Sequence, residues 1–148
     1  MTTWRHGPGI VSFPDGRTIR GRGLRRPLPD GPLPQFGVYL LSRDPGPFDW
    51  EHRWVRWPDL RRPTSTDDAI TALRAAYERA ATERVEIACG GGVGRTGTAL
   101  AAIATLAGIP HDQAVTWIRN NYQRRAVETP WQRRWILHLD ETSVPTRD

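Results

Sequence analysis

Between Val85 and Ala107 the chain passes from an apolar β-like run, through four glycines in five residues, into a long segment that is apolar nearly all round. Each part limits the fold. A continuous apolar strand belongs inside a sheet with both faces covered. A helix without a polar face must be buried. Gly90, Gly91, Gly92 and Gly94 join the two in a tight loop at the carboxyl end of the strand. This order predicts an α/β domain: a central, mostly parallel sheet with helices on both faces and a ligand site at the strand end.

The loop is chemically equipped. It opens on Cys89, the only cysteine in 148 residues, and closes on Arg95 and Thr96. Backbone N–H groups of Gly90, Gly91, Gly92, Val93, Gly94 and Arg95 can converge on one anion, and the helix that follows aims the positive end of its dipole at the same spot. The Arg95 guanidinium matches two phosphate oxygens at once. A cysteine beside a cation at a helix N-terminus is favoured as its thiolate. The arrangement could therefore hold a phosphate and carry the nucleophile that attacks it, forming a cysteinyl-phosphate. The alternative is a glycine-rich turn with Cys89 as a small buried hydrophobe. Some sulfurtransferase loops share the Cys-x5-Arg spacing.

The pattern Cys89-x-x-Gly92-x-x-Arg95-Thr96 resembles the signature of the cysteine-dependent protein tyrosine phosphatases, including their compact dual-specificity branch. The resemblance implies a tyrosine-phosphatase-like fold, with Cys89 as nucleophile and Arg95 as phosphate clamp. It also implies that the Thr96 hydroxyl supports the sulfur as it leaves. One departure is visible: the family usually has a histidine before the cysteine, and here Ala88 stands there.

A thiolate expels an alkoxide or phenoxide from phosphorus only if the leaving oxygen is protonated, so a general acid is required. Thirty residues before Cys89 lies Trp57-Pro58-Asp59. It resembles the acid loop of the same family, which implies that Asp59 is the acid and Trp57 its anchor. Taken alone, Pro-Asp also reads as a turn. Downstream, Glu128-Thr129-Pro130-Trp131-Gln132 resembles the family's glutamine loop. Gln132 takes the second glutamine position and Glu128 the first, which implies a role in placing the hydrolytic water. The same residues make a capping box, Thr129-x-x-Gln132 with Pro130 at the first helical position.

The implied activity is hydrolysis of phosphorylated proteins or small phosphomonoesters, with no cofactor and no metal. His6, His52, His111 and His138 are scattered without ligand spacing. Net charge is +5, and all 21 basic residues are arginine. Such a field attracts anionic partners, so an RNA 5′-phosphatase is an alternative, although no nucleic-acid motif accompanies it. A phosphate-binding module with little catalysis is another. Arg53, Arg56, Arg61 and Arg62 flank Asp59, and Arg124 and Arg125 precede the Gln132 segment. They either rim the site and favour acidic substrates or form a solvated surface. No apolar run approaches the roughly 20 residues that span a bilayer. The start of the chain lacks the apolar core of a secretion signal. The expected location is cytoplasmic, where a thiol nucleophile stays reduced.

A single domain is expected. Ile10 to Phe13 and Arg17 to Arg20 form a hairpin about Pro14-Asp15-Gly16, and Gly21 to Gln35 reads as an extended loop. Phe36 to Leu41 is a strand, and Trp54 to Arg56 a short one feeding the Asp59 loop. Ser65 caps a helix reaching about Ala81, and Val85 to Ala88 is the central strand. Helices follow from Arg95 to Ala107, stopped by Gly108, from Pro110 to Asn121, and from Thr129 onward. The residues 142–148 read as a frayed tail.

Overall fold

The computed structural model describes residues 2–139; the expected tail at 142–148 lies outside them. Five strands form one sheet: β1 (Ile10–Ser12), β2 (Thr18–Gly23), β3 (Phe36–Leu41), β4 (Glu51–Arg56) and β5 (Val85–Cys89). Their order is β1-β2-β5-β3-β4, antiparallel only between β1 and β2. The helices are α1 (Thr66–Arg79), α2 (Gly94–Leu106), α3 (Ala114–Asn121) and α4 (Pro130–Leu137). The expected α/β architecture with its mostly parallel sheet is present, and β5 holds the centre.

Alternation along the strands separates two faces. Val85, Ile87 and Cys89 of β5 join Val38 and Leu40 of β3, Ile19 of β2 and Val55 of β4 in one buried core. Residues from all four helices enter that same core, including Leu73, Leu100, Ile118 and Ile136. The helices flank the sheet as expected and bury this core. The other face of β5 carries a charged cluster. Glu86 lies there, fully buried, and binds Arg20, Arg22 and the Tyr39 hydroxyl. Aromatic rings from irregular segments close it. Phe48 stacks on Tyr39 at 4.1 Å, Trp50 donates to the Tyr39 oxygen, and the Arg20 guanidinium lies 4.1 Å from the Trp4 ring.

Three element boundaries differ from expectation. β2 runs on to Gly23, where a loop was expected, because Arg20 and Arg22 find their partner in Glu86 across the parallel pairing. β4 begins at Glu51 rather than Trp54, since a polar edge strand needs only one neighbour, here β3. The segment after Pro110 winds first as a tight 3-10 turn, His111–Gln113, before α3 begins. Other signals read directly. Ser65 caps α1 through the Asp68 N–H, and Gly108 follows α2 with φ +101°.

Candidate active site

β5 ends on Cys89, and the loop from Gly90 to Val93 delivers the chain into α2. The thiol is buried at 2% exposure. Its Sγ accepts from the Gly92 N–H at 3.2 Å and from the Thr96 hydroxyl at 3.0 Å. Gly92 has φ +74°, and a Cβ there would meet the Gly23 nitrogen at 2.6 Å. Only glycine satisfies both conditions. The turn of α2 that follows is capped by no side chain, which leaves its N-terminal amides and dipole facing the loop.

The outer side of the loop is held by residues the sequence did not mark. Tyr122 donates to the Gly92 carbonyl at 2.5 Å, and the Gln123 amide reaches the same oxygen at 3.2 Å. Burial pushes the Tyr122 phenol up to about 12, so it stays a donor at neutral pH. With Ala88 at the usual histidine position, these two side chains supply order to the loop. The signal in the sequence was weak: a polar pair ending an amphipathic helix.

Arg95 is 5% exposed. Its Nη1 donates to the Trp57 carbonyl at 3.0 Å, and its Nε lies 3.5 Å from the Asp59 carboxylate. At that range Nε makes an electrostatic contact with Asp59 but no hydrogen bond, and it remains without a hydrogen-bond partner. Asp59 itself is 58% exposed. Asp59, distant in sequence, thus meets Arg95 in the same short segment that carries Cys89 and Thr96.

The segment from Trp57 to Arg61 is pinned to α4. Trp57 is fully buried, packs edge-on against Trp135 at 5.3 Å and donates to the Arg61 carbonyl. The Gln132 amide donates to that same carbonyl at 2.9 Å, and Trp131 donates to Leu60 at 2.5 Å. Leu60 has a left-handed backbone, φ +62°, which these bonds hold in place. The Gln132 oxygen accepts from the Glu128 and Thr129 N–H groups, completing the capping box. Gln132 is fully buried, and its amide is spent on loop and cap. Glu128 stands elsewhere: its carboxylate lies against Gly94, 2.0 Å from where a Cβ would be. Val127, φ +65°, presents it, and Arg119 braces that bend through the Ala126 and Val127 carbonyls at 2.8 Å. So Glu128 faces the loop after Cys89, and Gln132 faces the segment that carries Asp59.

A cavity of about 850 Å3 is lined by Asp59, Leu60, Arg61, Trp131, Arg134 and Trp135. None of the residues 89–96 lines it, so it marks space beside the acid and not the phosphate seat. Of the arginines expected at the rim, Arg53 is paired with Asp68 at 2.9 Å and Arg56 lies over Trp54. Among the described residues no cluster of three or more His, Cys, Asp or Glu could hold a metal ion, and no helix is long and apolar enough to cross a membrane.

The family model for protein-tyrosine phosphatase matches residues 43–128, from the approach to the acid loop through the phosphate loop and on to Glu128. The chain belongs to the protein-tyrosine phosphatase family. Members of this family are cysteine-based phosphatases, which fits the thiol, arginine and carboxylate found together here. Solved structures share the fold. The active form of Tk-PTP shares 24% identity at a TM-score of 0.70, covering 92% of this chain and 99% of that one. Kinase-associated phosphatase, with its catalytic cysteine changed to serine, shares 11% at a TM-score of 0.68, covering 96% and 100%. TcPTP1 of Trypanosoma cruzi shares 24% at a TM-score of 0.52, covering 65% of this chain and 36% of that one. No curated protein matches the sequence.

Proposed function

We propose that this phosphatase hydrolyses phosphomonoesters on proteins, phosphotyrosine included, in two steps through a cysteinyl-phosphate on Cys89. In the first step Sγ attacks phosphorus, the S–P bond forms, and the bond to the leaving oxygen breaks. Asp59 gives its proton to that oxygen. In the second, Asp59 takes a proton from water, the water oxygen attacks phosphorus, and the S–P bond breaks. The Thr96 hydroxyl, 3.0 Å from Sγ, stabilises the departing thiolate. The amides of Gly90 to Arg95 and the Arg95 guanidinium hold the equatorial oxygens and the charge of the transition state. Gln132 serves the reaction by fixing the acid loop through Arg61. A nucleophilic thiol with no intrachain partner suits a reducing compartment, which supports the cytoplasm.

The contact that supports this reading is Arg95 Nε to Asp59 at 3.5 Å, which joins the proposed clamp and the proposed acid. The test is hydrolysis of p-nitrophenyl phosphate, with EDTA and a reducing agent, by wild type and Cys89→Ser. Turnover that vanishes in the variant is the expected result. Full turnover in Cys89→Ser would sink the mechanism. Ala88 in place of the family's histidine supports a second reading, a module that binds phosphate without turning it over. Vanadate binding with no hydrolysis by wild type would favour it.

A further inference from the structure

The loop has glycines at 90 and 91 beside the signature glycine at 92, and the segment that lies against those two is Arg25. The segment after β2 continues along the loop. Leu24 donates to the Cys89 carbonyl at 2.8 Å, and Arg25 donates to the Gly90 carbonyl at 3.0 Å. These two bonds lay the Arg25 side chain over the loop. A Cβ on Gly90 would come within 3.0 Å of Arg25 Nη2, and one on Gly91 within 3.6 Å of Nη1. A side chain at 90 would press on the guanidinium, and one at 91 would touch it at ordinary contact distance, so the guanidinium packs directly on this stretch of the loop.

Arg25 differs from the other arginines near the sheet. Arg20 and Arg22 are neutralised by Glu86, Arg53 by Asp68, and Arg79 by Glu51 and Glu83. The Arg25 guanidinium is exposed and, among the described residues, pairs with no carboxylate or carbonyl. An unspent planar cation therefore rests on the two residues that follow the nucleophile. Arg95 has partners of its own, Trp57 and Asp59. An exposed fork of donors in that position matches a carboxylate or a second phosphate.

We propose that Arg25 determines specificity by reading a second anionic group on the substrate, so that the preferred substrates are phosphopeptides with an acidic or phosphorylated neighbour beside the scissile phosphate. The proposal rests on the phosphatase reading of Cys89. Unlike a general positive field, it assigns the preference to one side chain held by two backbone bonds.

The test compares kcat/KM for phosphotyrosyl peptides that differ only in flanking residues: aspartate, phosphoserine or asparagine. Wild type, Arg25→Ala and Arg25→Lys are measured at low and high salt. The readout is the ratio of each anionic peptide to the neutral one. Wild type should favour the anionic peptides about five- to ten-fold, as expected for a partly exposed charge-assisted contact. The ratio should fall towards one in Arg25→Ala, recover in part in Arg25→Lys, and shrink with salt. Equal loss on all three peptides would make Arg25 a brace of the loop and overturn the proposal. An unchanged ratio would overturn it too, as would a 5′-phosphorylated oligonucleotide turned over faster than the anionic peptides. Hydrolysis of p-nitrophenyl phosphate in the same preparations separates these results from failure of the phosphatase reading. If wild type does not hydrolyse it, that reading falls, and this proposal with it.

Discussion

β5 separates two arginine sites with opposite charge balance. On the face opposite the core, Arg20 and Arg22 close on Glu86 at 2.9 and 2.7 Å, and Tyr39 completes the set. Burial opposes the charge on Glu86, yet the hydrogen bonds from Arg22, Tyr39 and Arg20, with the Arg22 charge, hold its carboxyl below the ordinary value. At the carboxyl end of the strand, Arg95 is equally buried but under-matched: one carbonyl, one distant carboxylate, one nitrogen with no hydrogen-bond partner. A buried charge that is fully paired serves the fold. A buried charge left partly unpaired costs stability, and a ligand of opposite charge recovers it.

The contrast breaks most easily at Glu86. Glu86→Gln leaves two buried guanidinium groups facing a neutral amide and should cost about 3–5 kcal/mol in denaturant unfolding. The fraction that stays folded should keep its kcat. A large loss of kcat in fully folded Glu86→Gln would show that the two sites are one system. The pH dependence follows from the same residue. Its folded carboxyl lies below the ordinary 4.5, so the stabilisation is present above that value and is lost as pH falls through the folded one. The acid-side loss of stability should be blunted in Glu86→Gln.

Arg95→Ala should reverse the pattern. Under the proposed mechanism it removes the clamp on transition-state charge, so kcat/KM should fall by about 10²–10³-fold or more. Thermal stability should hold or rise, because an imperfectly paired buried charge is gone. A variant that unfolds would place Arg95 with the structural arginines.

Gln132→Ala falls between the two classes. It strands the Glu128 and Thr129 N–H groups and takes one of two donors from the Arg61 carbonyl, which keeps Trp57, with an expected cost of about 1–3 kcal/mol and a lower kcat as the Asp59 segment loosens. If its real task were to place water, burst kinetics with accumulated cysteinyl-phosphate would appear in a variant of unchanged stability. The smallest effect belongs to Tyr122→Phe. Losing the bond to Gly92 should cost about 1 kcal/mol and a few-fold in kcat/KM, with the loop still formed by Gln123.

What the sequence reveals follows from how local each feature is. The thiol, the clamp and the helix behind them lie within a few turns of chain, so their spacing displays them. Asp59 reads through Trp57 and Pro58 beside it. Glu86 does not, because a glutamate inside an apolar run gains meaning only from arginines more than sixty residues away. Arg25 is hidden for the same reason: it lies in a stretch of Pro, Gly and Arg that looks structureless until β2 carries it alongside β5. Gln132 has two readings because one amide performs a cap and a clamp together. All the basic residues are arginine, so composition cannot separate those that hold the fold from those that meet a substrate; only their partners do.

The close approach of Gly23 and Gly92 has a consequence for natural variation. A Cβ on Gly23 would meet the backbone of Gly91 at 2.7 Å, and one on Gly92 would meet the Gly23 nitrogen at 2.6 Å. Neither position can drift alone. In evolutionary terms the two codons are locked together by one backbone contact, and homologous chains that keep this loop against this strand should retain both glycines.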